Sequence, residues 1–458
     1  MTSALLTDLY QLTMVQGYFL RRRDPLVAFE LFFRRPPFGG GYALAAGAED
    51  AVDAIAALRF TADELAYLRS LELFRDEFLA FLAEWRFRGA LHTVPEGTAM
   101  FPGEPLVRVT ARLTEAQLIE SMLLNVINFQ TLIATKAARI VQAAGGGPVL
   151  EFGLRRAQGQ DGALSAARAA YIGGVQGTSN VAAGQRYGIP VGGTMAHSWV
   201  QSFASEQEAF DRFAEFYPER AILLVDTYDT LASGIPHAIP ALTRLQEQGH
   251  GGFGVRLDSG DLGPLSQAVR ARLDAAGLQR ARIVASNDLD EARIAALRAS
   301  GAPIDVWGVG TRLVTAYDDP ALGGVYKLVA LHDGTRWQPT AKRSEEAGKA
   351  TLPGIKQVVR CSRPEGATED VLCRDDEAAA IVTAAPAGEK RAPLLAECMR
   401  TGERTAPRKS LRAIQEHAAA SLASLPTATR ALANPAQYPV TPSPRLIEMH
   451  QQAAAQDA

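Results

Sequence analysis

The chain has 458 residues, and 47 Lys and Arg stand against 50 Asp and Glu, for a formal net charge of −3. So even a balance provides no field for gathering nucleic acid or an acidic membrane surface. With 47% hydrophobic and 21% charged residues the composition excludes large-scale disorder, and the length suits about three domains or one large barrel with attachments.

Residues 1–20 place Leu5, Leu9, Leu12 and Met14 near helical spacing, an amphipathic helix that Thr2 or Thr7 would cap. No basic leader precedes it, so no secretory signal is expected. Residues 27–33 read as a strand, and the Pro- and Gly-rich stretch 34–42 as loop. Residues 46–85 read as helices. Two short extended runs within 98–109, on either side of Pro102-Gly103, predict a hairpin. Residues 114–143 predict one long helix, with Glu115 and Glu120 early and Lys136 and Arg139 late, as the helix dipole favours.

From residue 148 short apolar runs recur, each closed by small or polar residues and followed by a helical stretch. They lie at 149–152, 173–179, 190–197, 221–226, 252–258, 282–287, 304–311 and 324–329. Asp226, Arg256 and Ser286 follow one another at intervals of 30 residues, the length of one strand-plus-helix unit. Alternating strands and helices imply a parallel sheet, and this many units imply a closed β/α barrel. The intervals vary from 16 to 32 residues, so the barrel is expected to be irregular. Beyond 332 the pattern ends. Pro353-Gly354 marks a turn, 355–361 and 369–373 read as strands returning to the N-terminal segment, and a helix is expected near 408–422. The Ala-, Pro- and Gln-rich tail carries no legible chemistry, and its end is expected to be disordered.

The expected architecture is therefore α/β. A parallel β/α barrel would span 146–331, with a second α+β domain built from 1–145 and the return strands and helical tail of 332–458. No apolar run reaches about 18 residues, so no membrane span is expected. Cys361, Cys373 and Cys398 are too few and too far apart for a disulfide framework or a zinc site. They suit a reducing compartment, and a cytoplasmic location is expected.

In a β/α barrel, chemistry gathers at the carboxyl ends of the strands. Those ends offer Glu151, Arg155, Arg156, Thr178, Ser179, Thr194, His197, Ser198, Asp226, Thr227, Arg256, Asp258, Ser286, Asn287, Asp288, Gly308, Gly310, Thr311 and Lys327. Cations, carboxylates and small hydroxyls together suit a phosphorylated, hydroxylated ligand. Gly308-Val-Gly-Thr311, between a strand and a helix, reads as a phosphate loop or as a tight turn. Arg256 and Asp258 fall on one side of a strand by period two, either as a structural ion pair or as ligand contacts. Arg256 would then pair a carboxylate or phosphate, and Asp258 ribose hydroxyls or hydrated magnesium. His197, at a strand end, is a structural histidine, a general base or a nucleophile that becomes phosphorylated. Tyr10, read locally, packs an amphipathic helix. The metal ligands stay open between Asp226, Asp258, Asp261 and solvent.

Six motifs in order resemble the nicotinate phosphoribosyltransferase family. They are Thr7-Asp-Leu-Tyr-Gln-Leu-Thr-Met14, Glu151-Phe-Gly-Leu-Arg-Arg-Ala-Gln158, Gly193-Thr-Met-Ala-His-Ser198, Val255-Arg-Leu-Asp-Ser-Gly-Asp261, Gly308-Val-Gly-Thr311 and Leu352-Pro-Gly-Ile-Lys-Gln-Val358. The resemblance covers roughly residues 4–362. It implies a type II phosphoribosyltransferase fold and the entry step of NAD salvage: nicotinate and phosphoribosyl pyrophosphate give nicotinate mononucleotide and pyrophosphate, coupled to ATP hydrolysis, with Mg²⁺. The family's phosphorylated histidine matches His197. Its nicotinate contacts match Tyr10, Thr194 and Arg256, and its phosphoribosyl-phosphate contact matches Thr311. The family's N-terminal tyrosine reaches the site of a second copy, which implies a homodimer. Arg155 and Arg156 are the candidates for pyrophosphate contacts.

Four rivals stand against this reading. A quinolinate enzyme would need more cationic groups for a second carboxylate, would decarboxylate its substrate and is usually a much shorter chain. A nicotinamide enzyme would place an aspartate after Gly177-Thr178 to accept the amide, and Ser179 stands there instead. A non-catalytic nucleotide sensor would not need Arg256, Asp258, His197 and Thr311 all intact. A barrel aldolase could use Lys327 as a Schiff base, although nothing else asks for a carbonyl substrate.

Overall fold

The computed structural model describes residues 3–341 and 351–456. The chain divides into two compact units, one from Met1–Thr135 together with Ala321–Ala458, the other from Lys136–Pro320. Among the described residues no helix is long and apolar enough to cross a membrane.

The first unit is built on a seven-stranded antiparallel sheet. At its middle Leu26–Phe33 (LVAFELFF) pairs on one side with Val107–Arg112 and on the other with Gly324–His332. A strand covered on both faces reads as a continuous apolar run, and here only Glu30 breaks it. Glu30 is fully buried and lies 2.8 Å from Nζ of Lys356. That lysine also donates to the carbonyls of Leu352 and Gly354, so Leu352-Pro-Gly-Ile-Lys356 is a loop fastened by its own lysine. Phe29 stacks on Tyr326 across the strand pair, with ring centroids 4.6 Å apart.

Several expectations are corrected in this unit. The run 324–329 is not a barrel strand: it pairs antiparallel with Leu26–Phe33, with Lys327 opposite Glu30. An apolar run serves a central antiparallel strand as well as a parallel one, so its composition could not decide. Lys327 thus belongs to the first unit's sheet, and the aldolase reading loses its barrel position. The hairpin at 98–109 does not form. Ala99–Met100 pairs with Ala43–Leu44, while Val107–Arg112 joins the large sheet. The strands Lys356–Arg363 and Gly366–Arg374 pair with each other in a separate four-stranded sheet. The elements that return to the N-terminal sheet are Gly324–His332, Trp337–Pro339, Ala396–Arg400 and Glu403–Arg404.

The helices follow the sequence more closely. Three helices fill 48–84, and Leu411–Ser424 matches the expected helix near 408–422. The first helix is Leu9–Leu20, preceded by Asp8 rather than Thr7, and Thr2 lies outside the described residues. The long helix is divided at Ile119 into Leu113–Leu118 and Glu120–Ala144. Past the expected elements, Pro444–Gln456 adds a final helix, so the tail is ordered as far as that.

The second unit is a six-stranded parallel sheet with intervening helices. Its strand order is Gly177–Thr178, Val149–Glu151, Val306–Val309, Arg282–Ala285, Gly254–Leu257 and Ile222–Leu224. One bridge, Thr178 to Val191, extends it at the first edge. The architecture is thus mixed α/β, and among the described residues the hydrogen-bonded ladder stays open instead of closing through 190–197. Pro190 lacks an N–H, and Gly192 and Gly193 have no side chain to pack, so this segment makes a poor strand. The three strands spaced at 30 residues are neighbours in order. Each following helix starts on a side-chain cap: Asp229 before the helical turn at 230–234, Asp261 and Asp290. Asp261, one of the open metal candidates, therefore has a structural task, accepting from the N–H of Gly263.

Candidate active site

The carboxyl ends of the parallel strands bring one group of side chains into contact within the second unit. Arg256 and Asp258 leave the strand Gly254–Leu257 on the same side, and Nη2 of Arg256 lies 2.8 Å from Oδ1 of Asp258. Arg256 Nε donates to Ser286 Oγ at 2.9 Å and Nη1 to Thr194 Oγ1 at 3.0 Å. Its guanidinium also lies 5.8 Å from the ring centre of Phe152. His197 opens the short helix His197–Gln201. Its Nδ1 is 3.1 Å from Thr227 Oγ1, and its Nε2 is 3.9 Å from Asp258 Oδ2.

Asp226, just beyond Ile222–Leu224, accepts through Oδ2 from the N–H of Asp258 at 2.9 Å and from Ser259 Oγ at 2.6 Å. Its other oxygen is buried and has no hydrogen-bond partner. A buried orphan carboxylate oxygen is costly in isolation, and it fits a hydrated hard cation. Among the described residues no group of three or more His, Cys, Asp or Glu could by itself enclose a metal ion. A few carboxylate oxygens completed by water and ligand phosphates suit Mg²⁺ better than a full protein cage.

Next to this group, Glu151 ends the strand Val149–Glu151. It accepts from Thr178 Oγ1 at 2.5 Å and from the N–H of Gly153. Burial raises its carboxyl above the ordinary range, against the opposing pull of those two hydrogen bonds. Ser179 follows, its N–H donating to the Glu151 carbonyl at 2.9 Å. Gly308 and Gly310 have a packing reason of their own. A Cβ on Gly308 would come within 2.7 Å of the Phe152 ring, and one on Gly310 within 3.1 Å of the Phe152 carbonyl oxygen. Phe152 therefore sits between the glycine loop and Arg256. Thr311 begins the short helix Thr311–Val314 after that loop.

The contacts thus join Thr194, His197, Asp226, Arg256 and Asp258, with Glu151, Thr178, Ser179, Gly308 and Gly310 grouped around Phe152. Arg155 and Arg156 lie on an exposed turn after Val149–Glu151, and Ser198 is exposed on the His197 helix. Tyr10 belongs to the first unit. Half exposed, it donates to Glu120 Oε1 at 3.4 Å, and burial together with that carboxylate raises its hydroxyl pKa.

Besides Ser259, the contributors with no role assigned from sequence are Phe152, Thr227 and Ser286. The last two carried a signal. Thr227 is 30 residues from His197, and Ser286 is 30 residues from Arg256. Phe152 carried none, because an aromatic residue next to a strand end looks like core.

Three family models cover nearly the whole chain. The nicotinate phosphoribosyltransferase N-terminal domain matches residues 5–128, the family itself 148–376 and the C-terminal domain 355–450. The chain belongs to the nicotinate phosphoribosyltransferase family. It is 46% identical over 450 residues to nicotinate phosphoribosyltransferase pncB2 of Mycobacterium tuberculosis, covering 97% of this chain and 92% of that one. The crystal structure of human nicotinic acid phosphoribosyltransferase superposes with a TM-score of 0.84 at 34% identity, covering 97% of this chain and 99% of that one. Nicotinate-nucleotide pyrophosphorylase from Pyrococcus furiosus gives a TM-score of 0.73 at 25% identity, covering 91% and 94%. Of the motifs resembling the nicotinate phosphoribosyltransferase family, four carry the second unit's strand ends. The other two lie in the first unit, where one begins a half-exposed helix and the other is the loop fastened by Lys356.

Proposed function

We propose that this chain transfers a phosphoribosyl group from phosphoribosyl pyrophosphate to nicotinate, with ATP hydrolysis coupled through His197. The bond from the ribose anomeric carbon to a pyrophosphate oxygen breaks, and the pyridine nitrogen forms a new bond to that carbon. The products are nicotinate mononucleotide and pyrophosphate. The pyridine lone pair is free near neutral pH, so no strong general base is needed, and the work is orientation and charge stabilisation. The transition state has oxocarbenium character, as in other glycosyl transfers.

The observation that carries this reading is the setting of Arg256. Each of its three guanidinium nitrogens faces a partner, which leaves at most two of its five N–H groups for a planar carboxylate. Thr194 is held beside it, and Ser179 puts no anion at the position where a carboxylate acceptor would be repelled. Thr311, Gly308 and Gly310 are assigned to the ribose phosphate, Arg155 and Arg156 to pyrophosphate, and Thr178 and Ser198 to the ligand-lining polar surface. Asp226 and Asp258 would hold Mg²⁺ with water and substrate phosphates. There the ion would neutralise charge developing on the departing pyrophosphate. His197, between Thr227 and Asp258, would accept the phosphoryl group of ATP. The added charge would favour closure around phosphoribosyl pyrophosphate, and its loss would favour product release.

A homodimer is part of the proposal. Leu9 and Tyr10 are 52% and 50% exposed on the first helix, a surface that a second copy would cover.

Pyrophosphate and ADP release, measured with nicotinate and phosphoribosyl pyrophosphate in the presence and absence of ATP, tests the proposal on wild type and His197→Ala. ATP should accelerate wild type alone. Turnover of nicotinamide instead would refute the Ser179 argument, and turnover of neither base would bring back the sensor.

A further inference from the structure

Ser286 stands just past the strand Arg282–Ala285 and is 4% exposed. Its hydroxyl accepts the Nε–H of Arg256 and donates to Oδ1 of Asp258, the same oxygen that lies beside Nη2 of Arg256. Serine Oγ thereby closes a ring of contacts around the Arg256–Asp258 pair. The other acceptor in reach of its proton, the Leu257 carbonyl, is farther away at 3.4 Å.

A guanidinium is planar, so fixing Nε together with one Nη fixes the whole plane. Asp258 is constrained at the same time: with Oδ1 turned to Ser286 and Arg256, Oδ2 is left on the His197 side at 3.9 Å. Without the hydroxyl, Arg256 would keep only Thr194 and one carboxylate oxygen, and both bonds tolerate rotation.

We propose that Ser286 is a positioning residue for the transfer reaction. It aims the remaining N–H groups of Arg256 at the carboxylate of the acceptor and divides the oxygens of Asp258 between Arg256 and His197. This rests on the transferase reading above. Ser286 acts through Arg256, so its effect is expected on recognition of the carboxylate acceptor.

The test compares the full chain with Ser286→Ala and Ser286→Thr, measuring steady-state kinetics and melting temperature. Ser286→Ala is expected to raise KM for nicotinate about tenfold or more, the scale of one lost hydrogen bond to a charged group. The KM for phosphoribosyl pyrophosphate should stay within about twofold, and Ser286→Thr, which keeps the hydroxyl, should recover most of the loss. An unchanged nicotinate KM in Ser286→Ala overturns the proposal. So does an equal rise for both substrates with a lowered melting temperature, which marks a merely structural role.

A second measurement needs no turnover. The ¹⁵N–¹H resonance of Arg256 Nε, assigned by its disappearance in Arg256→Lys, should exchange slowly in wild type and rapidly in Ser286→Ala. Equal exchange in the two overturns the proposal. If wild type does not use nicotinate, the transferase reading falls by itself, and this resonance still decides the role of Ser286.

Discussion

Lys356 and Glu30 are 326 residues apart in the chain, yet their charged groups meet at 2.8 Å in the interior of the first unit. The lysine backbone N–H reaches the other oxygen of the same carboxylate at 2.9 Å. Removing the lysine leaves the Glu30 carboxylate buried without its ion-pair partner. Lys356→Met should therefore destabilise the unit by about 3–5 kcal/mol. The double variant Glu30→Leu/Lys356→Met should recover a substantial part of it, and urea unfolding of the three proteins measures the difference.

Arg256→Lys keeps the charge but loses the fork. An ammonium cannot meet Ser286, Thr194 and Asp258 together and still offer two coplanar donors to a ligand. The expected loss in kcat/KM for nicotinate is about 100-fold, the scale of two charge-assisted hydrogen bonds. Steady-state kinetics with the melting temperature as control checks it.

Thr227 is the hydroxyl against Nδ1 of His197. Thr227→Val preserves the shape and removes the hydrogen bond, so the imidazole loses its orientation. The ratio of rates with and without ATP should fall about tenfold, while the ATP-independent rate changes little. An unaltered ratio would show that His197 is oriented by other contacts.

Glu104 is fully buried near Asp370, which Arg360 holds through Nε at 2.8 Å and Nη2 at 2.6 Å. Burial first, and then the charge of Asp370, pushes the Glu104 carboxyl well above the ordinary range. The folded state therefore keeps a proton that the unfolded chain releases. This contribution is complete below the ordinary carboxylate range and is lost as pH rises toward the folded value. Glu104→Gln should remove that loss, so its stability relative to wild type should improve as pH rises above the ordinary carboxylate range. Urea unfolding across the range reads the slope.

The second unit was the more legible of the two because its strands are local. Each is followed by its own helix, and a shared interval put Asp226, Arg256 and Ser286 at corresponding strand ends. The side chains of Arg256 and Asp258 meet as period two requires. The first unit was obscure because its pairings are remote. Nothing local to Gly324–His332 says that its neighbour is Leu26–Phe33, and nothing near Ala99–Met100 points to Ala43–Leu44. In the site, charged residues announced themselves by type. Ser286 is as ordinary a residue as the chain contains, and its importance lies in which two groups its single oxygen touches.

The first unit takes its strands from both sides of the second. Leu26–Phe33 is made early, while the strand that covers one of its edges, Gly324–His332, emerges from the ribosome after the whole of Lys136–Pro320. The parallel unit is contiguous and can condense as it is made. The antiparallel sheet must wait, with an apolar edge bare and Glu30 lacking its lysine until residue 356 has been added. A nascent chain stalled in that interval is the form most exposed to aggregation, and the one that a chaperone acting during synthesis would have most reason to hold.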